Sequence, residues 1–133
     1  MSDRYSLILA TDLDGTFFGG SPEQRTQFYD YLKQHRQNLL LIFVTGRSLE
    51  LIDNEREAGD FPHPDYVIGD VGTTVVNWKT RQPLAEVQDW IDRVWNDGGD
   101  RVKELLADEP GLKLQPIVPQ YRVSYYYDPK KLQ

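Results

Sequence analysis

The sequence contains no cysteine, and its 133 residues include only two histidines and one methionine. The absence of cysteine excludes disulfides and thiolate metal sites and is compatible with the cytoplasm, which is the location we expect. Positive charge is also scarce, since 15 Lys and Arg stand against 21 Asp and Glu and leave a net charge of −6. Nucleic-acid binding needs clustered basic residues, so we expect no nucleic-acid partner.

Long apolar runs are absent as well. No segment approaches the roughly 20 apolar residues of a membrane span, and the apolar stretch after residue 4 is too short for a signal peptide. We therefore expect a soluble protein with no membrane partner. Apolar residues make up 39% and charged residues 27% of the chain, as in ordinary globular domains, so one packed core is expected.

Short apolar runs alternate with helical patterns over the first 70 residues. Residues 5–11, 39–44 and 66–69 each lead into a polar loop that contains glycine, which is typical of buried strands in a parallel sheet. A helix is predicted to begin at Ser21 and Pro22, which form an N-cap signature. One face of this helix carries Phe28, Tyr31, Leu32 and His35. The β-α-β-α-β order predicts a parallel, Rossmann-like α/β core.

The alternation stops after residue 70. Residues 73–78 and 83–84, on either side of a polar turn, predict a β-hairpin. A strongly amphipathic helix follows, which we expect to end near Gly98. Its apolar positions at helical spacing are Val87, Trp90, Ile91, Val94 and Trp95. We expect Trp90 and Trp95 to be core residues.

The last part of the chain predicts a second lobe that begins near Glu86. A helix around residues 102–106 should stop at Pro110, and residues 121–127 have the pattern of a strand. Three consecutive tyrosines end this strand, Tyr125, Tyr126 and Tyr127. We expect alternate burial for them, although stacking on a sugar is an open alternative.

Polar residues follow the apolar runs at the place where ligands bind in open parallel sheets. Asp12 and Asp14 flank one apolar residue, so both side chains can face one site. A carboxylate beside Mg²⁺ can attack phosphorus, and a second carboxyl can protonate the leaving oxygen. Gly15 permits a tight turn, after which amides such as that of Thr16 can face a phosphate. A simple turn after a strand is the alternative.

The second loop offers a hydroxyl and an unobstructed amide, at Thr45 and Gly46. Both lie at the end of the neighbouring predicted strand, where a phosphate could be held. Ser48 is a candidate N-cap of the next helix, and an ordinary strand-to-helix turn is the alternative interpretation. Taken together, the two loops indicate a phosphate site.

With DLDGT at residues 12–16 and FVTGRS at residues 43–48, the sequence resembles the haloacid dehalogenase (HAD) superfamily of phosphatases. It looks most like the sucrose-phosphate phosphatase group. Residues 71–73 resemble the third-loop Gly-Thr of that group, and residues 121–129 resemble the first strand region of its cap. The resemblance implies an incomplete α/β fold in two parts. These are the first half of a HAD-like core over residues 1–85 and the start of an α+β cap lobe over residues 86–133.

The resemblance also implies roles for the loop residues. Asp12 would be the nucleophile that forms an aspartyl-phosphate, and Asp14 the general acid and base. Mg²⁺ would sit on the Asp12 carboxylate and the Asp14 main-chain carbonyl, while Thr45 binds the phosphate of a sugar phosphate such as sucrose 6-phosphate. Arg47 and Thr73 are further candidates near the phosphate or sugar.

Two parts of the family's site do not follow in these residues: a downstream Lys that steadies the phosphate, and a Gly-Asp-x-x-Asn-Asp loop that completes the metal site. Residues 69–73 begin like that loop but come too early and have Gly-Thr in place of Asn-Asp, so Asp70 is not assigned to the metal. Lys130 and Lys131 have the pattern of a solvated tail. We expect the nucleophile half of a longer enzyme, with an exposed sheet edge that favours self-association or binds a missing C-terminal half.

Two other functions stay open from the sequence. A receiver-like phosphoacceptor domain also has an acidic Mg²⁺ cluster after its first strand, and Asp70 lies where its acceptor aspartate would be. Against this, the acidic residues are not adjacent and a hairpin, not a helix, is predicted next. A non-catalytic HAD-like fragment is the second alternative.

Overall fold

The computed structural model describes residues 5–116 and 120–131, with the side chains of residues 57 and 58 left aside. Contacts divide the chain into two compact units, Met1–Ala85 and Glu86–Gln133. The assignment of the first unit to half of a catalytic core, and of the second to the start of a cap, stays a prediction. Among the described residues, no helix has the length and hydrophobicity needed to cross a membrane.

The first unit is built on a four-stranded mixed sheet. Its strands are β1 (Leu7–Thr11), β2 (Leu39–Val44), β3 (Tyr66–Gly69) and β4 (Thr74–Asn77), and they lie in the order β1-β2-β3-β4. The first three strands are parallel, as predicted, and β4 is antiparallel to β3. This mixed sheet with connecting helices is the predicted Rossmann-like α/β architecture.

The predicted hairpin between residues 73–78 and 83–84 is present. Val76 forms an antiparallel bridge with Pro83, the Asn77 N–H donates to the Gln82 carbonyl, and the Leu84 N–H donates to the Val75 carbonyl. In addition, β4 pairs with β3 along its whole length. The second arm of the hairpin stays short because Pro83 lacks an N–H for a continuing ladder.

Two helices connect the parallel strands, α1 (Pro22–Gln34) and α2 (Leu49–Ala58). The predicted start of α1 is confirmed as a complete capping box, in which Ser21 and Gln24 each bond the other's backbone N–H. The expected cap of α2 is also confirmed, since the Ser48 hydroxyl accepts from the Leu51 N–H. Short 3₁₀ turns lie at Arg36–Asn38 and Asp70–Gly72.

The core lies where alternate β2 residues meet the helices and the turn after β1. The buried side chains of this cluster are Leu13, Phe17, Leu32, Leu39, Leu41, Phe43, Ile52, Phe61, Val67, Val76 and Trp78. The expected face of α1 is wrong in part, because only Leu32 is buried on that helix. Phe28 and Tyr31 are exposed, and Tyr29 packs inward on Phe17 instead. The Tyr29 hydroxyl donates to the Phe17 carbonyl, which turns this side of α1 toward the loop after β1.

The second unit has two helices, α3 (Ala85–Trp95) and α4 (Gly98–Leu105), and a two-stranded antiparallel sheet of β5 (Leu112–Leu114) and β6 (Tyr125–Tyr127). The predicted break near Gly98 is confirmed. The predicted strand over residues 121–127 is shorter, and its partner β5 has too few residues to give a sequence signal.

Several burial expectations for the second unit are wrong. Ile91 is the buried residue of α3, while Trp90 is 57% exposed. Both Tyr126 and Tyr127 are exposed, so the tyrosines do not alternate. The reason is size, because a small unit of short helices and three-residue strands buries only a narrow apolar stripe.

The first strand has a free edge. Within the described part of the chain, β1 pairs with β2 alone, and Leu7 and Ile8 are both 60% exposed. Unpaired backbone groups beside exposed apolar side chains favour pairing with another segment. We propose that either a further part of the protein or a second copy covers this edge.

If a second copy covers the free edge of β1, the 133-residue chain should self-associate as its concentration rises. Ile8→Lys should weaken this association about tenfold, because it places a charge in the contact. Sedimentation velocity measures both. Leu51→Lys on α2, which is also exposed, is the control with the same charge change. A wild-type chain that stays monomeric would contradict association between copies.

Candidate active site

The three parallel strands bring their loops to one edge of the sheet. The register pairs Thr11 with Phe43 and Phe43 with Val67, so the carboxyl ends are nearly level. A further bond joins the loops, since the Thr45 N–H donates to the Ile68 carbonyl at 2.9 Å. This is the position at which open α/β sheets bind their ligands.

The first loop is a tight turn that presents Asp12 to solvent. Asp12 itself is extended (φ −69°, ψ 160°), and Gly15 then adopts φ +73°, a left-handed conformation that favours glycine. Leu13 and Phe17 are buried on either side and anchor the turn in the core. The Thr16 hydroxyl donates to the Asp12 carboxylate at 3.2 Å, which restricts the orientation of the carboxylate.

Thr45 is the buried polar residue of the second loop, at 5% exposure. Its hydroxyl oxygen accepts the Arg47 N–H at 3.2 Å. Among the described residues, no acceptor takes the hydroxyl proton, so the proton can be donated outward to a phosphate oxygen. Gly46 beside it is exposed, and an added Cβ there would meet only Val71 at 3.8 Å. The amide at Gly46 is therefore sterically accessible, as the sequence suggested.

Arg47 is clamped between two carboxylates. Its Nη2 donates to Asp14 Oδ1 at 2.6 Å and its Nε to Asp14 Oδ2 at 2.9 Å. Its Nη1 donates to Glu55 Oε1 at 2.8 Å. The guanidinium carbon also lies 5.6 Å from the centre of the Phe18 ring, a cation–π distance. This bidentate geometry is the strong form of an Arg–carboxylate pair.

The clamp affects the protonation of Asp14. Hydrogen bonds from Arg47, with a smaller contribution from its charge, lower the pKa of the Asp14 carboxyl, while slight burial opposes them. The same contacts with Asp14 and Glu55 raise the pKa of Arg47. These contacts therefore favour the carboxylate form of Asp14, and a move of Arg47 to another partner would favour its protonation.

The third loop follows β3 as a strained turn. Asp70 and Val71 have φ of 49° and 60°, and a positive φ is rare for a β-branched residue such as Val71. The Asp70 N–H donates to the Arg47 carbonyl at 2.9 Å and ties this loop to the second. The Thr73 hydroxyl donates to the Asp70 carbonyl, and the Thr74 hydroxyl to its carboxylate. Thr73 thus stabilises its own turn, because its hydroxyl proton is donated to the Asp70 carbonyl.

The predicted residues therefore fall into two groups. Asp12, Asp14, Thr45 and Arg47, together with their adjoining residues Gly15, Thr16 and Gly46, lie in loops at one edge of the sheet, whereas Thr73 is engaged within the third turn. Sequence reasoning missed Glu55, which reaches Arg47 from α2, and Phe18. No motif marks Glu55, and only the path of α2 after Ser48 brings it beside Arg47.

The atoms of the first unit that could bind a metal ion at this site are oxygen atoms. The Asp12 carboxylate is exposed and has one described hydrogen-bond donor, Thr16. The described residues contain no group of three acidic, His or Cys side chains that could enclose an ion. Mg²⁺ commonly keeps several waters and uses only one or two protein carboxylates, so Asp12 fits part of such a site.

A Rossmann-like mixed sheet with an Asp-x-Asp turn after its first strand and a Thr-Gly loop after its second defines a haloacid dehalogenase-like protein. The family model described as Sucrose-6F-phosphate phosphohydrolase matches residues 5–133. The chain belongs to this family. Membership shows that the receiver-like alternative is wrong.

Similar proteins share this region of the chain. Sucrose-phosphatase 1 of Nicotiana tabacum is 30% identical over 96% of this chain. A glucosylglycerol-phosphate synthase of Pseudomonas anguilliseptica is 35% identical over 94% of it. The chain spans only 31% and 16% of the lengths of these two relatives.

One solved structure supports the fold. The sucrose-phosphatase of Synechocystis, determined with sucrose and phosphate, superposes with a TM-score of 0.76 over 95% of this chain and 50% of its own. Sequence identity is 24%. The match confirms the HAD-like fold of the chain.

Proposed function

We propose that this chain carries the nucleophile half of a Mg²⁺-dependent phosphatase that removes phosphate from a sugar phosphate. The observation that carries this proposal is the shared sheet edge, where the exposed Asp12 and the buried Thr45, whose hydroxyl proton has no described acceptor, follow neighbouring parallel strands. Family membership supports the reaction class. We retain the cytoplasm as the proposed location.

The metal would be held by the Asp12 carboxylate and the Asp14 main-chain carbonyl. When bound, Mg²⁺ would neutralise part of the negative charge that separates a carboxylate from a phosphate ester. The remaining ligands would come from parts of the protein outside these residues, since the described residues do not enclose an ion by themselves.

The chain's own residues would act in two steps. An Asp12 carboxylate oxygen attacks phosphorus, the bond from phosphorus to the sugar oxygen breaks, and Asp14 gives that oxygen a proton. Asp14 then takes a proton from water, whose oxygen attacks phosphorus and releases inorganic phosphate with restoration of Asp12. Throughout, the Thr45 hydroxyl would donate to a phosphate oxygen.

Arg47 must change partner in this scheme. In the structure it holds Asp14 as a carboxylate through two close contacts, and a carboxylate has no proton to give. A substrate phosphate or sugar oxygen would offer Arg47 an alternative acceptor and release Asp14 for proton transfer. Glu55 would keep the guanidinium near the site during the exchange.

The substrate we propose is a disaccharide phosphate such as sucrose 6-phosphate, on the basis of the family and of the solved relative with sucrose and phosphate. Phosphate release with Mg²⁺ is measured for sucrose 6-phosphate, glucose 6-phosphate, fructose 6-phosphate and glucosylglycerol phosphate. The assay uses both this chain and the complete product of its gene. Equal rates on all four would contradict disaccharide selectivity, and no release by the complete product would contradict the function.

Thr45→Val tests the phosphate-binding hydroxyl. The change keeps the shape but removes the hydroxyl proton, and a hydrogen bond to a charged group contributes about 1.5–3 kcal/mol. We expect kcat/KM of the complete product to fall about ten- to a hundredfold. Thr45→Ser, which retains the hydroxyl, should stay close to wild type. A fully active valine variant would exclude the proposed role.

A non-catalytic HAD-like module is the second candidate. Two observations favour it: Asp14 is engaged by Arg47, and one relative is named a synthase, of which the chain spans only 16%. In that case the same fold would bind a sugar phosphate without hydrolysis. Binding of sucrose 6-phosphate by calorimetry, with no phosphate released by the complete product, would favour this candidate.

A further inference from the structure

A cavity of the first unit lies away from the loops that carry Asp12 and Thr45. It has a volume of about 900 Å³ and is lined by the segment before β3 and by the turn after β4. Because β3 begins here and the antiparallel β4 ends here, this is the amino-terminal edge of the parallel strands. Asp12 and Thr45 emerge at the opposite edge. The cavity is therefore separate from the proposed active site.

The lining of the cavity is positively charged, in a chain whose net charge is −6. Its charged side chains are the cations Lys33, Arg36, Arg56, Lys79 and Arg81 and the carboxylates Asp60 and Asp65. Five cations against two carboxylates leave an excess of three positive charges. A concave surface of one charge sign concentrates ligands of the opposite sign.

Three of the cations are already paired. Lys33 lies 2.7 Å from Asp60 and Arg36 lies 2.8 Å from Asp65. Arg81 lies 2.7 Å from Asp53, a carboxylate on α2 outside the lining. Arg56 and Lys79 have no ion-pair partner among the side chains that the structure describes. These two positive charges are available to a ligand.

Hydrogen bonds hold the wall at the start of β3 in place. Asp65 accepts from the Leu41 N–H at 2.8 Å as well as from Arg36, and its carbonyl accepts from the Trp78 N–H. Arg36 donates in addition to the carbonyls of Leu39 and His63. A wall fixed in this way loses little freedom when a ligand binds.

The turn after β4 is equally ordered. The Asn77 side-chain oxygen accepts the N–H groups of Lys79 and Thr80, and the Arg81 N–H donates to the Asn77 carbonyl. The Arg81 guanidinium stacks on Trp78, with its carbon 3.7 Å from the ring centre. Trp78 is buried beneath it and cannot itself stack on a ligand.

The cations of the lining also act on His63. Partial burial, and then the charges of Arg56, Arg36 and Arg81, lower the pKa of its imidazole, although Asp60 opposes them. A proton on His63 is therefore disfavoured, first by burial and then by the cations of the lining.

We propose that this cavity binds a small anion with at least two negative charges, held by Arg56 and Lys79. The volume lies within the range of small-molecule sites. Phosphate and carboxylate groups would both satisfy the two cations. The proposal does not rest on the phosphatase function, because the site lies at the other edge of the sheet.

Calorimetry tests the site with pyrophosphate and citrate as probes and acetate as a singly charged comparator. The measurement uses the 133-residue chain with the substitution Asp12→Asn, so that no probe is hydrolysed at the sheet edge that carries Asp12 and Thr45. We expect one site per chain for at least one probe, affinity that falls with added salt, and much weaker binding of acetate. Which probe binds separates a phosphate ligand from a carboxylate ligand.

The double variant Arg56→Glu with Lys79→Glu should weaken binding about tenfold or more, since two favourable charge contacts become repulsive. Arg101→Glu with Lys130→Glu, on exposed residues of the second unit, is the control with the same change in net charge and should bind as before. Circular dichroism and thermal melting establish that both variants are folded. If the cavity variant fails to fold, NMR of the parent chain decides: citrate or pyrophosphate should shift the amides of residues 77–81 but not those of residues 12–16.

Three results would overturn the proposal. The first is that neither probe binds at millimolar concentration. The second is that both double variants weaken binding equally, which would indicate only the net charge of the chain. The third is that an Asp- and Glu-rich peptide of equal charge binds more tightly than either probe, which would make the cavity a docking surface for an acidic polypeptide.

Discussion

Asp12→Asn is expected to reduce phosphate release from the preferred sugar phosphate by at least about a thousandfold, because an amide cannot replace the attacking carboxylate. The change is nearly isosteric. The carboxamide oxygen can still accept the Thr16 hydroxyl, which lies 3.2 Å from the carboxylate. Folding should therefore be unaffected, and the loss should appear in kcat and not in the melting temperature.

The measurement is the rate of phosphate release by the complete gene product, together with mass spectrometry after rapid acid quench. Wild type should show an acid-stable phosphoryl adduct on the peptide that contains Asp12, and the variant should not. Asp30→Asn, a change of the same kind at an exposed position of α1, should leave the rate unchanged. A labelled adduct elsewhere, with release preserved in the Asp12 variant, would disprove the proposed nucleophile.

Phe17→Ala should produce the largest loss of stability. Phe17 is 3% exposed and lies at the centre of an aromatic cluster. Its ring centre lies 4.9 Å from those of Tyr29 and Phe43 and 6.3 Å from that of Phe61. Removing a buried phenyl ring from such a cluster lowers the free energy of unfolding by about 3–5 kcal/mol, out of a total of about 5–15 kcal/mol for a typical domain.

Urea unfolding followed by tryptophan fluorescence measures this loss. Phe28→Ala is the matched control, because Phe28 also touches Phe17 but is 41% exposed, and it should cost much less. The Phe17 side chain also anchors the turn that begins at Asp12 in the core. Any folded Phe17 variant should therefore also lose activity. Equal losses for both variants would contradict the central position of Phe17 in the core.

The candidate site was largely predictable because its residues follow apolar strands in short loops. Periodicity places β1 and β2, and the rule that parallel strands bring their carboxyl ends together then brings Asp12 near Thr45. The role of Arg47 was only partly predictable. The sequence places it in the second loop, but its contact with Asp14 spans 33 residues and depends on how the first loop turns at Gly15.

Burial on helices was less predictable. The same α1 pattern allows Tyr31 or Tyr29 to face inward, and the structure selects Tyr29 because its hydroxyl finds the Phe17 carbonyl. In the second unit, Trp90 lies at a core position of the helical repeat but is exposed, because its small unit has little surface to cover it. Helical spacing identifies a face, whereas burial depends on what packs against that face.

The sequence by itself determined the α/β order, the family, and the loops that carry Asp12 and Thr45, because strand periodicity, caps and short motifs are local properties of the chain. The tertiary structure alone decided the clamp of Arg47 between Asp14 and Glu55, the identity of the exposed sheet edge as β1, and the positive cavity around Arg56 and Lys79. Each of these depends on distances between residues far apart in the chain. No local pattern encodes such distances until the sheet and its helices have packed.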